Sequence, residues 1–171
     1  MSQTSPPRKG RADHRSSSRA RHRRMRSDPG SGAGLRWEGL DRLVYKQDGR
    51  TFKEVTRQLL FDAPHELTVQ LRYFEIAAGG YTSLEKHAHA HAVLVLCGHG
   101  RALVSSMVHT IAPFDLIEIP PWSWHQFRAD PDAILGFLCL VPSERDRPVY
   151  PTQDELEAMR NNALVRSFIR F

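Results

Sequence analysis

From Leu67 to Val141 the chain is written in short apolar or alternating runs separated by turn residues, and that rhythm constrains its fold more than any other feature. "LTVQLRYFEIA" alternates Leu67, Val69, Leu71 and Tyr73 against Thr68, Gln70 and Arg72, then stops at Gly79-Gly80. "AVLVLCG" reads as a buried strand closed by Gly98-His99-Gly100, and "RALVSSMVHTI" as a hairpin turning at Ser105-Ser106. Two short strands, "FDLIEIPP" and "WHQFRA", surround a proline corner, and "AILGFLCLV" is a long apolar strand. Upstream, "TFKEVTRQLLF" follows the Asp48-Gly49 turn signal and has strand character, with helix as the alternative. Short strands at turn-separated intervals predict an all-β antiparallel sandwich or barrel.

The two ends differ from this middle. Residues 1–34 are Arg, Ser, Gly and Pro with almost no apolar content, so they form no core and are expected to be a disordered basic tail; translation beginning at Met25 is a further reading. The tail holds nine Lys/Arg against two Asp, a charge of +7 that exceeds the whole chain's +5 and leaves −2 for the body. A mildly acidic body with a basic arm that lacks interleaved aromatics argues against nucleic acid as the main partner. At the other end, Thr152 and Glu155 form a capping-box pattern that opens a helix with Leu156, Met159 and Ala163 on one face, interrupted near Asn161-Asn162. That helix is expected to cover an edge or end of the barrel, or a partner subunit. At 171 residues the body suits one core, giving a tail over 1–34, a barrel over 35–150 and a helical segment over 151–171.

Cys97 and Cys139 lie inside apolar runs instead of a paired framework, which favours a reducing compartment and a role as small core fillers. No run approaches the roughly 18 apolar residues of a membrane span. The expectation is a soluble cytoplasmic protein.

The chemistry concentrates in "EKHAHAHAV", Glu85 to Val93. On a straight strand, side chains at i and i+2 share a face roughly 6–7 Å apart, so two histidines can grip one ion while a third lies about twice as far away. His87, His89 and His91 therefore bind one metal together only if the chain bends; otherwise one is idle. A distant ligand is also needed, and His125 in "IPPWSWHQF" is the other histidine in a strand-rich aromatic setting, whereas His99 and His109 follow turn or hairpin positions and face solvent.

"GGYTSLEKHAHAHAVLVLCGHG" followed by "APFDLIEIPPWSWHQF" resembles the paired motifs of the cupin superfamily over about residues 36 to 143. The resemblance implies a double-stranded β-helix, or jelly roll, with a divalent metal inside. Counting back from Gly98 places the family's glutamate position on His91, one histidine position on His87 and the other on Glu85, with His125 as the last ligand. His89 then occupies the bend, where members often carry a non-ligand histidine. The set of three imidazoles and one carboxylate suits Fe(II) first, with Mn, Ni or Zn as alternatives. The second motif departs from the family at Phe114 and at Trp122 or Ser123, where glycines are usual.

Several residues beyond the ligands carry expectations. Trp122 and Trp124 flank the barrel mouth in the resemblance, where they stack on a planar substrate or merely pack at the rim. Gln126 offers hydrogen bonds to a ligand; Arg72 offers charge to one or, given its alternation with Leu71 and Tyr73, faces water. Glu85, if not a ligand, is the first candidate for general acid/base, and His89 the next. The "PPWSWH" segment is similar to gentisate-type ring-cleaving cupins, so the leading reading is a dioxygenase acting on a small phenolic, enol or diketone chelator. A Zn, Mn or Ni lyase or isomerase uses the same ligands, and a non-catalytic sensor or partner subunit is the competing class. The resemblance also implies a homodimer, through segments around Thr51 to Phe61 and Ala163 to Phe171.

Overall fold

The protein is described from a computed structural model, which covers residues 22–27, 34–45 and 51–171. Most of the tail, and the Asp48-Gly49 turn, lie outside the described residues. Among the described residues eleven strands occur in chain order: β1 (Met25–Ser27), β2 (Leu35–Trp37), β3 (Leu43–Val44), β4 (Lys53–Asp62), β5 (Val69–Tyr81), β6 (His91–Gly98), β7 (Gly100–Val104), β8 (Met107–Ile111), β9 (Leu116–Ile119), β10 (His125–Ala129) and β11 (Leu135–Pro142). Two short helices follow, α1 (Gln153–Arg160) and α2 (Ala163–Phe168).

β3 to β11 form one antiparallel sheet in the order β8-β7-β10-β5-β11-β6-β9, with β4 also paired to β5 and β3 to β4. The sheet curls on itself as a jelly roll, and its concave face holds Val55, Phe74, Ile76, Val93, Val95, Phe127, Phe137 and Val141 as the main core. The hairpin between β7 and β8 turns at Ser105, whose φ of 57° is left-handed. Gly98 closes β6 at φ 75°, and any Cβ there would meet the Ile134 carbonyl oxygen at 1.8 Å, so only glycine fits the corner.

β5 inverts the phase that its sequence suggests. Its concave face carries Arg72, Phe74 and Ile76, while Tyr73 points outward against Trp37, ring centroids 5.0 Å apart. The cause lies in the N-terminal segment, which lays β2 and Trp37 over the outside and gives the apolar residues of β5 a second surface to bury against. Arg72 is therefore only 8% exposed and faces the barrel interior, not water. Within the stretch expected as a tail, Met25–Ser27 forms β1 and pairs antiparallel with Leu35–Trp37.

At the C-terminus, Thr152 accepts from the Glu155 amide and Glu155 reaches back to the Thr152 amide, which completes the capping box of α1. Asn162 then caps α2 through Leu164 and Val165. This second cap resets the helical phase, so Val165 and Phe168 face inward with Leu156, whereas Ala163, expected on the buried face, is exposed. The helices cover Leu84 and Leu103 on the convex side, beside the β7–β8 hairpin. His99 and His109 are exposed, and Cys139 is buried in the core.

Candidate metal centre

The stretch after β5 does not continue as a strand. The His89 carbonyl oxygen lies 3.0 Å from His87 Nδ1, and the chain bends at Ala88-His89 before β6 begins at His91. The bend collapses a spacing that an extended strand would keep wide: the rings of His87 and His91 stand 4.2 Å apart, nearly parallel. His125 enters from the opposite side, because Glu85 and His125 form an antiparallel bridge with N–H···O distances of 3.2 and 3.0 Å. Trp122 donates its amide to the His87 carbonyl at 2.7 Å and ties the proline corner to the bend. One ligand-capable nitrogen from each of His87, His91 and His125 lies within 4.8 Å of the others.

The hydrogen bonds fix which nitrogen each ring presents. His87 Nδ1 donates to the His89 carbonyl and His125 Nδ1 to the Ser123 carbonyl, both at 3.0 Å. A carbonyl accepts only from N–H, so Nε2 carries the lone pair in both rings. His91 Nδ1 lies 3.6 Å from Cys139 Sγ, and its buried Nε2 has no hydrogen-bond partner. An orphaned buried nitrogen is costly unless something fills its lone pair. Burial, with His125 next, lowers the pKa of His87 to about 4 and pushes His91 further down, so both are neutral bases near pH 7. Neutral imidazoles with oriented Nε2 atoms fit a divalent first-row ion.

Glu85 is buried in the same cavity but stands outside the three-histidine group. Its carboxylate accepts from Ser83 at 2.5 Å and from the Tyr45 hydroxyl at 3.2 Å, which holds it as a polar neighbour of the metal site. His89 stacks on His87 at 3.9 Å, and its Nδ1 pairs with Asp146 at 2.6 Å. Hydrogen bonds from the Ala88 amide and His89 lower the pKa of Asp146 to about 2.

Three expected pocket residues lie elsewhere. Along β10, alternate residues face opposite sides, so the neighbour of His125 points away from the cavity: Gln126 is fully buried, donating to the Thr82 and Arg170 carbonyls and accepting from the Arg170 amide. It anchors the C-terminus. Trp124 packs with the helical cluster and carries the Lys86 ammonium 4.2 Å from its ring, and Trp122 is 57% exposed on the corner. Residues that the sequence reading left out do line the cavity, notably Arg57, Arg145 and Asp146. Their positions on β4 and beyond β11 give no local signal. The cavity measures about 190 Å³, enough for a small ligand beside an ion.

This architecture matches known proteins. A family model described as a cupin domain covers residues 72–141. A Rhodospirillum rubrum protein named 1-methylthio-D-xylulose 5-phosphate methylsulfurylase is 50% identical over 78% of this chain and 86% of its own length. The chain belongs to the cupin superfamily. Among solved structures, this cupin is similar to a cupin-2 domain protein of Rhodospirillum rubrum, with a TM-score of 0.74 at 50% identity over 78% of this chain and 89% of the other. It is also similar to a cupin 2 conserved barrel protein of Rhodopseudomonas palustris, with a TM-score of 0.79 at 45% identity over 88% of this chain and 100% of the other. No helix among the described residues is long and apolar enough to cross a membrane.

Proposed function

We propose that this cupin is a metal-dependent enzyme acting on a small phosphorylated keto-sugar that bears a methylthio group, as the name of its Rhodospirillum rubrum relative describes for that protein. The observation that carries the metal part is the convergence of His87, His91 and His125 with the Nε2 of His91 orphaned. Those three residues hold the ion, which supplies Lewis-acid polarisation to a substrate carbonyl when bound. His89 and Asp146 brace the bend, and the carbonyls of His89 and Ser123 keep His87 and His125 in the tautomer that binds metal. Glu85, set by Tyr45 and Ser83, is placed to take or return a proton beside the polarised carbonyl.

The dioxygenase expectation came from the likeness of "PPWSWH" to gentisate-type cupins, and a planar substrate there would have Trp122 and Trp124 to stack on. Trp122 and Trp124 do not line the cavity, whereas three arginines do, so an anionic aliphatic substrate suits this interior better than a planar phenolic one. The test is turnover of 1-methylthio-D-xylulose 5-phosphate with a thiol as acceptor, followed by the S-methyl proton resonance. The wild-type chain should consume the substrate and His125→Ala should not. Absence of turnover after reconstitution with Fe, Mn, Ni, Cu or Zn would contradict the proposal.

A further inference from the structure

Arg57 on β4, Arg72 on β5 and Arg145 after β11 all line the cavity that contains the three histidines. β4 and β5 pair with Leu59 opposite Arg72 and Arg57 opposite Phe74, so Arg57 and Arg72 are diagonal neighbours on the concave face. Arg145 bonds Gln70 Oε1 at 2.7 Å, two residues from Arg72 on the same strand. Among the described residues none of the three has a carboxylate within ion-pair distance. Arg72 is the most buried, and the polar contact of its guanidinium is with Cys139 Sγ at 3.6 Å. The buried Nε atoms of Arg57 and Arg72 have no hydrogen-bond partner.

Arg72 is buried and Arg57 half-buried, and the more exposed Arg145 adds a third positive charge beside them; like charges repel and a buried cation without an ion-pair partner is costly, so the arrangement calls for an anion. Burial and the charge of Arg72 both lower the pKa of Arg57 and of Arg145. Glu85 and Asp146 on the same wall keep their charges while accepting from Ser83 and Tyr45 and from Ala88 and His89, but neither is ion-paired with the arginines, so three cations face two carboxylates and the cluster stays net positive. Planar guanidinium groups suit a phosphate with several oxygens, because each forms paired N–H···O bonds.

We propose that Arg57, Arg72 and Arg145 form a phosphomonoester receptor on the wall of the metal cavity, which orients the substrate so that its carbonyl end meets the histidines. This inference rests on the phosphorylated-substrate reading above and assigns that phosphate to named residues. A phosphate needs two or more of these cations, while a simple carboxylate would leave one without an anion.

Calorimetric titration of the full chain with inorganic phosphate, before and after chelation of metal, tests it. Saturable binding should persist without metal. Arg57→Gln and Arg145→Gln should each weaken it at least tenfold, with metal content and melting temperature retained. Because Arg72 is deeply buried, these two more accessible positions carry the test and Arg72→Lys serves as the third variant. D-xylulose 5-phosphate should compete and D-xylulose should not. No saturable binding, unchanged affinity in both variants, or binding that vanishes with the metal would overturn the receptor. Phosphate binding with no methylthio turnover would leave the receptor standing and sink the proposed reaction; turnover with unaltered phosphate affinity in the variants would do the reverse.

Discussion

The cavity has two unlike walls. One is built from His87, His91 and His125, imidazoles contributed by a bend and by one bridged strand; the other from Arg57, Arg72 and Arg145, cations contributed by two strands and a loop. The first wall has lone pairs to give and needs a cation, and the second has protons to give and needs an anion. A ligand with a carbonyl at one end and a phosphate at the other satisfies both, and neither wall alone defines it. The comparison teaches that the chemical identity of such a site resides in how two walls of opposite demand are spaced, more than in either motif.

The largest effect that would break this division falls on the arginine wall. The double variant Arg57→Gln/Arg145→Gln should lose about 100-fold in phosphate affinity, about 2.7 kcal/mol, while binding metal as the wild type does. Loss of metal in that variant would show the walls to be one unit.

Acidification acts on the other wall. His87 is held near pKa 4 and His91 is also depressed, whereas an unfolded histidine titrates near 6.5. The unfolded chain therefore takes up protons first as pH falls. Chelated protein should be most stable above about pH 6.5 and should lose on the order of 2 kcal/mol between there and pH 4, since partial solvent access discounts the full linkage. Urea midpoints at pH 7 and pH 4.5 read this out; equal midpoints would mean the histidines are not desolvated bases. The arginines remain charged over this range, so phosphate affinity in the folded chain should fall only as far as the phosphate's own protonation at about pH 6 removes one negative charge.

Outside both walls, effects should fall on stability alone. Gln126→Leu removes the partners of Arg170 and the Thr82 carbonyl and should cost about 2 kcal/mol in chemical denaturation, with metal content and phosphate affinity preserved. The smallest effect is expected at Trp122, a non-glycine residue at φ 60° where cupins usually carry glycine at or next to this position. Trp122→Gly should relieve backbone strain, offset in part by unfolded-state entropy, for a net gain of roughly 0.5 kcal/mol. A melting temperature that falls instead would assign the indole a packing role at the corner.

Much of the fold was legible because strand rhythm and turn chemistry agree along the chain. The Ser105-Ser106 hairpin, the runs that become β6, β10 and β11, and the Thr152 capping box were each visible locally. The histidine wall was legible in two steps: alternate histidines on a straight strand cannot all converge, so a bend or an idle histidine was required, and the cupin resemblance then put His89 in the bend and chose His87, His91 and His125. The arginine wall was not. Arg72 was left between offering charge to a ligand and facing water, because its neighbours Leu71 and Tyr73 looked like the buried set, and nothing in β5 announces that residues 35–37 cover its outer face. Arg57 and Arg145 lie 88 positions apart and meet only through the fold. Gln126 was misplaced by the simplest cause: adjacent residues on a strand face opposite ways, so the neighbour of a ligand is rarely in the site. At the second motif, Phe114 and Trp122 keep left-handed backbones without glycine, with φ 76° and 60°, so turn geometry survived the loss of its usual residue.

The proposed metal site of His87, His91 and His125 underlies the division of the cavity into two walls and can be tested directly. The measurement is elemental analysis of the purified full chain beside His87→Ala and His125→Ala, each expressed with Fe, Mn, Ni, Cu and Zn available. The account predicts near-stoichiometric divalent metal in the wild type and its loss in both variants, with melting temperatures showing that each variant is folded. A wild-type chain that holds no metal even after reconstitution, or variants that retain it in full, would contradict the claim.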